Sequence, residues 1–279
     1  MRLTRPAIVV ALTIPVLLYL GYLLAPLYTS LRMSLNTFSR MRGITTDVSL
    51  ETYRSVMTDG FYISAWLSTL RLAVVSGLLT VLIGTVTAYA LWRVGGRARA
   101  YLTVVVIAPL MVSGVVRAYG WVAAVGPSGL IPSLTSALGL GEVSLLFDRR
   151  AVILGFVHIL LPFVVLILLA RLDSINPRLL AAAGNLGASQ WQVIRRVVLP
   201  LISRSMVAAF LIVFALSTGS YAIPAVLGGG RVRTVTRQIV QEQLIIFDWP
   251  RAATLAILLS ILTLVVMVIS QLQLRRRRA

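Results

Sequence analysis

Residues 181–200 read AAAGNLGASQWQVIRRVVLP, and they separate two runs, 151–172 and 203–227, each long and apolar enough to cross a bilayer. The interruption is dense in helix signals. Asn176 precedes Pro177, a capping residue followed by the imino acid favoured in a first helical turn. Leu179, Leu180, Ala182 and Ala183 then supply a small apolar face, and Gly187 stands where a short helix needs a left-handed cap. Ser189 and Gln192 match capping-box spacing, so a second helix starts almost at once. Arg195 and Arg196 mark its return to the membrane surface, and Pro200 falls where it joins the next span. The stretch reads as two short helices at an angle, lying along one membrane face. Such a hairpin is either a plain connector or a docking knob whose small residues let a partner groove approach the backbone.

Outward from this hairpin the chain is apolar almost throughout. It has 279 residues, 58% hydrophobic and 12% charged, where a soluble domain would carry about a quarter charged residues. The deficit identifies a polytopic membrane protein. Six spans are expected, at about 7–31, 63–92, 101–125, 151–172, 203–227 and 252–274, in a single transmembrane domain covering 1–279. The fold class is therefore all-α, with six transmembrane helices and the loop of about 174–200 between the fourth and fifth. The first stretch is too long for a signal-peptide core and lacks a small-residue cleavage site, so it is expected to remain as a span. The chain contains no cysteine, which excludes disulfides and thiolate metal sites.

The net charge of +18 would suggest nucleic acid in a soluble protein, but here it follows membrane topology. Residues 1–6, 93–100, 171–204 and the tail from 270 hold 14 arginines against one carboxylate, Asp173. The loops counted as 32–71, 126–150 and 228–251 hold 11 arginines against seven carboxylates, among them Glu142, Glu242 and Asp248. Both termini and the hairpin are accordingly expected in the cytoplasm. The run Arg275–Arg278 reads as a topology anchor near anionic lipid.

The hairpin resembles the EAA loop of ABC-importer permeases, the inner-membrane components of binding-protein-dependent transport systems. That pattern runs Glu-Ala-Ala, three residues, Gly, nine residues, then Ile-x-Leu-Pro. Ala181-Ala182-Ala183, Gly187 and Val197-Val198-Leu199-Pro200 fall in the same register. The resemblance implies a coupling helix inserted into a cleft of the cytoplasmic ATPase, with Ala181, Ala182, Ala183, Gly187, Ala188 and Ser189 in the docking surface. One position departs from the pattern: the usual Glu is Ala181, so docking rests on shape and apolar contact or on a compensating charge in the ATPase.

Two groups are candidates for a substrate path. Arg117, in PLMVSGVVRAYGW, is an ionisable residue within the third expected span, which marks a functional position by its insertion cost. The alternative is that it snorkels to the interface beside Tyr119 and Trp121. The grouping Arg117-x-Tyr119-x-Trp121 resembles the same span of spermidine/putrescine-type permeases, as does the segment from Ser217 through Asp248-Trp249-Pro250. Ser217, Thr218, Ser220 and Tyr221 either line the path beside Gly219 and Pro224 or bond to their own helix backbone. Gly228-Gly229-Gly230 lacks the Gly-Lys-Ser/Thr ending of a phosphate loop and reads as a turn on the outer face. His158, the single histidine, has no nearby carboxylate in its span and reads as a hydrogen-bonded packing residue.

No carboxylate lies within any expected span and no nucleophile–base pairing is visible, so an enzyme is not expected, nor a cofactor or metal. What emerges is the transmembrane subunit of an ATP-driven importer in a bacterial inner membrane. The resemblance implies as partners an ABC ATPase dimer, a second permease subunit of a related sequence, and a periplasmic or lipid-anchored solute-binding protein. It points to polyamines or a similar small organic cation; iron or an oxyanion is the alternative substrate. An ion-coupled secondary transporter, which would need intramembrane acids or broken-helix ion sites, and a purely structural scaffold are further alternatives.

Overall fold

The computed structural model describes residues 5–139, 141 and 144–276; Glu142, Arg277 and Arg278 lie outside the described residues. The chain divides into two compact units, Ser64–Arg237 with Thr263–Ala279, and Met1–Ile63 with Gln238–Leu262.

The larger unit is organised around α7 (Arg149–Asp173). Val152, Phe156, Val164, Val165, Leu168 and Leu172 are fully buried along it. They meet Leu72, Val81, Ala88 and Leu91 of α3 (Gly60–Arg93), Ile202, Ala209 and Val213 of α10 (Leu199–Gly219), and Ile223 and Leu227 of α11 (Ala222–Leu227). A helix that is apolar on every side belongs among other helices or in lipid. Because lipid tails are as apolar as leucine, what holds such helices together is close packing, and small residues permit it. A Cβ at Gly84 would stand 2.6 Å from Val164 Cγ1, and one at Gly155 would stand 2.6 Å from Leu227 Cδ1. These two positions set how closely α3 and α11 approach α7.

The third expected span is not one helix. α4 (Gly96–Ile107) tightens into a 3₁₀ turn at Ala108–Met111, and the chain turns through 99° before α5 (Gly114–Val125) and α6 (Leu130–Ala137). Pro109 has no N–H to return to the preceding turn, so the ladder fails there. The fifth stretch is also divided: α10 ends at Gly219, Ser220 is extended (φ −78, ψ 127), and α11 follows. Among the described residues, five helices are long and apolar enough to cross a membrane, or six if the bent pair forms one span. α3 begins at Gly60, so Arg71, counted above with a loop, lies about three turns inside a helix.

In the smaller unit, α1 (Arg5–Ser34) is followed by a β-hairpin, β1 (Thr37–Ser39) paired antiparallel with β2 (Gly43–Thr45). Nothing in the all-α reading anticipated this hairpin, although three residues per strand leave the fold class helical. Then come α2 (Glu51–Thr58) and the first residues of α3. The Thr254 hydroxyl of α13 (Trp249–Arg276) donates to the Ser34 carbonyl at 3.1 Å, tying the end of α1 to α13. α12 (Val235–Gln241) opens into a π-turn at Glu242–Ile246 and stops at Phe247, which is left-handed at φ +64. Asp248 then caps α13, its Oδ1 accepting from Arg251 N at 3.0 Å.

Candidate functional site

The hairpin between α7 and α10 is built from caps. Asn176 Oδ1 accepts from Arg178 N at 2.9 Å with Pro177 in the first turn, and this starts α8 (Pro177–Asn185). Gly187 ends it at φ +78. Ala188 N donates to Ala183 O at 3.1 Å and Gly187 N to Gly184 O at 2.9 Å, the paired bonds of a Schellman motif. One residue later Ser189 opens α9 (Gln190–Val193): Gln192 N donates to Ser189 Oγ, and Ser189 N donates to Gln192 Oε1 at 2.8 Å. Two caps back to back satisfy the orphan backbone groups of both helices and hold the angle between them. α9 then continues through a π-turn at Ile194–Val198 into α10.

Side chains divide this hairpin into an anchored side and an open one. Leu180 and Val193 are half-buried against the core, and with Tyr89 and Trp92 they line a cavity of about 200 Å³ at the end of α3. On the open side, Leu186 is 87% exposed, Trp191 66% and Leu179 50%. Ala181, Ala182, Gly187 and Ser189 are also exposed, whereas Ala183 and Ala188 are half-buried. An exposed tryptophan and two leucines on a rigid turn form an apolar patch with no hydrogen-bonding use of its own, the composition of a protein-docking surface. The expected docking residues thus fall on one hairpin. Its large exposed side chains, Leu186 and Trp191, were not singled out in the sequence, where a motif of small residues drew the reading.

The residues expected to line a path do not meet at one place. Arg117 and Trp121, one turn apart on α5, both face α7: Arg117 Nη1 lies 3.5 Å from the Ile159 carbonyl, and Trp121 Nε1 donates to His158 Nδ1 at 3.1 Å. The Trp121 and His158 rings meet edge to face at 5.5 Å. Pro162, one turn beyond His158, cannot donate to the His158 carbonyl, so the α7 ladder is open beside this cluster. Arg117 Nε is buried without a hydrogen-bond partner. Tyr119 is exposed and stands outside the cluster. His158 is therefore a hydrogen-bond acceptor for Trp121, on an exposed face of its helix.

Ser217 and Thr218 are buried between helices. Ser217 Oγ lies 3.5 Å from Ser76 Oγ of α3, and the Thr218 hydroxyl donates to the Ala215 carbonyl at 3.0 Å. The Ser220 carbonyl accepts from the Thr236 hydroxyl at 2.9 Å, and Tyr221 is exposed. On α3 the hydroxyls of Thr69, Ser76 and Thr80 each bond back to the carbonyl one turn earlier. Besides these bonds to their own helix, the Thr69 hydroxyl accepts from Val235 N at 2.9 Å and Ser76 reaches Ser217.

The profile of the family described as binding-protein-dependent transport system inner membrane component matches residues 80–279. The chain belongs to that family. Among its relatives, the spermidine/putrescine transport system permease protein PotB of Haemophilus influenzae is 29% identical over 217 residues, covering 77% of this chain and 76% of the relative. The molybdenum transport system permease protein ModB of Azotobacter vinelandii is 32% identical over 174 residues, or 61% of this chain and 76% of the relative. The fold is similar to that of a bacterial ABC transporter involved in the import of the acidic polysaccharide alginate, with a TM-score of 0.81, 21% identity, and coverage of 96% of this chain and 95% of the other. It is also similar to the MetNI methionine ABC transporter, with a TM-score of 0.60, 22% identity, and coverage of 77% and 94%. The chain is thus a permease subunit of an ABC importer in the inner membrane, and ATP hydrolysis belongs to a separate subunit. As a permease it works within a multi-component transporter.

Proposed function

We propose that this permease imports a polyamine or a similar small organic cation, and that the hairpin of α8 and α9 seats in a cleft of the cytoplasmic ATPase. The observation that carries the coupling half is the pair of back-to-back caps, Gly187 and Ser189, holding Leu186 and Trp191 out from the core. A rigid knob transmits the motion of a partner; a loop without caps would absorb it. Ala181 removes the carboxylate that the family commonly offers here, so apolar burial of Trp191 and Leu186 carries the affinity. The substrate half rests on the polyamine permeases among the relatives, PotB and the 28% identical PotC of Escherichia coli.

In this reading the chain makes six spans and the hairpin faces the cytoplasm with both termini. Arg99 and Asp173, both from the arginine-rich segments, form an ion pair at 2.5 Å. Phe147 N donates to Leu227 O at 2.9 Å and so joins the loop of 126–150, assigned to the other side, to the last residue of the fifth expected span. The pairings agree with the arginine asymmetry, which places the richer side inside. A second permease chain completes the path, an ATPase dimer docks below, and a solute-binding protein delivers substrate from above.

An oxyanion is the second reading, favoured by the molybdenum permease among the relatives and by the fixed cation Arg117 beside α7. Uptake into proteoliposomes carrying the permeases, ATPase and binding protein separates them. ATP-dependent uptake of labelled putrescine, displaced by spermidine and indifferent to molybdate, is the expected result. ATP-dependent uptake of labelled molybdate with none of putrescine supports the oxyanion, and uptake that needs no ATPase refutes both.

A further inference from the structure

The smaller unit contains a cavity of about 390 Å³ whose walls include Phe38, Phe61, Tyr62, Gln238, Glu242 and Arg251. Its polar groups are not balanced among themselves. Glu242 is 3% exposed, and one of its oxygens, Oε1, accepts from the Tyr62 hydroxyl at 2.5 Å. The other, Oε2, has no hydrogen-bond donor, and Arg251 Nη1 stands 3.9 Å from it, beyond hydrogen-bond reach. That guanidinium is held instead by Asp248 at 3.2 Å. Gln238, one turn before Glu242 and also 3% exposed, has an unpartnered Oε1. Arg251 Nε is buried without an acceptor, and Arg40, also on the wall, is exposed. Arg251 thus stands between two buried carboxylates, nearer Asp248 than Glu242, and one guanidinium balances only one of the two charges.

Two buried acceptors without donors in one cavity, one of them a carboxylate, are costly unless something donates to both. A hard metal ion is a poor fit, because it asks for several oxygen ligands and no group of three or more His, Asp or Glu is assembled among the described residues. An alkylammonium fits. It brings three N–H donors and a positive charge, and aromatic walls such as Phe38 and Phe61 accept both the charge and the attached methylenes. The backbone at the site is also unusual. Glu242 begins a π-turn, and the left-handed Phe247 follows it, two departures from regular geometry that concentrate at functional positions. We propose that this cavity binds the ammonium group of an organic amine, with Glu242 Oε2 and Gln238 Oε1 as its acceptors. The site shares no residue with the docking hairpin, and it stands whether or not the transported substrate is a polyamine.

The test uses the purified permease with its ATPase in nanodiscs, without binding protein. Propylammonium, putrescine and the neutral 1,4-butanediol are titrated by calorimetry. Saturable binding of both amines and none of the diol is expected. Glu242→Gln keeps the shape and an acceptor for Tyr62 but removes the charge, and should weaken propylammonium binding about tenfold or more. Gln238→Met removes the neutral acceptor and should weaken it less; this variant decides the matter if Glu242→Gln fails to assemble. Equal binding by the variants and the parent, or binding of the diol as strong as that of the amines, means that these acceptors do not hold an ammonium group, and the proposal falls; so does no saturable binding of either amine. Glu242-dependent amine binding in a transporter that takes up no polyamine would sustain this site and overturn the substrate reading alone.

Discussion

Replacing Gly187 by valine isolates the hairpin's geometry from everything else in the molecule. Gly187 sits at φ +78, and a Cβ there would meet nothing within 4 Å, so the substitution adds no clash with the core. The whole effect is backbone strain, since a β-branched residue is disfavoured in the left-handed region. Holding it there costs about 1–3 kcal/mol. If the strain is relieved by abandoning the cap, the bonds from Gly187 N to Gly184 O and from Ala188 N to Ala183 O go with it, and α8 loses its fixed angle to α9. Docking then has to restore the strained form, which lowers ATPase affinity by about 5- to 150-fold. The larger unit's core lies elsewhere, so membrane insertion and the melting temperature should hardly change. Gly187→Asn tolerates the left-handed region and should dock nearly normally. Adding Ala181→Glu to Gly187→Val should not restore docking, because a charge cannot restore an angle. The assay is the amount of ATPase retained on the affinity-purified permease, with substrate-stimulated hydrolysis as the second readout. Full retention by Gly187→Val would refute the reasoning and leave the hairpin a connector.

Two further substitutions probe the membrane interior. Arg117→Ala removes the donor to the Ile159 carbonyl and should reduce uptake while assembly with the ATPase stays intact; full uptake would retire the path reading. Gly84→Ala places a Cβ 2.6 Å from Val164 Cγ1 and should destabilise the permease by about 1–3 kcal/mol, read as a lower melting temperature in detergent.

What the sequence made legible was local. Asn176-Pro177, Gly187 and the Ser189/Gln192 spacing each act on their immediate neighbours, and the structure has a cap at each of them. The helical class was equally plain, since runs of some twenty apolar residues have few other fates. The bend after Met111 was not. Pro109 is visible, but membrane helices often carry proline without turning through 99°, so the residue alone does not announce the bend. Long-range pairs were also hidden. Glu242 counted only as a loop carboxylate, because its partner Tyr62 lies 180 residues away. His158 was readable as a hydrogen-bonded residue, yet nothing in its span named Trp121. Ser217 and Thr218 read as path or packing, and their burial between helices was not visible in the sequence.

Site-directed cross-linking of the hairpin tip to the ATPase tests the central claim most directly. The chain has no cysteine, so Leu186→Cys, Trp191→Cys and, as the control on the β-hairpin turn, Met41→Cys each carry one photoactivatable label. All three positions are exposed in the permease, at 87%, 66% and 97% respectively, so each side chain can carry a label. In native membranes of cells making the whole transporter, adducts with the ATPase are predicted from positions 186 and 191 and none from position 41. An adduct from position 41, or none from 186 and 191 while uptake continues, would contradict the account.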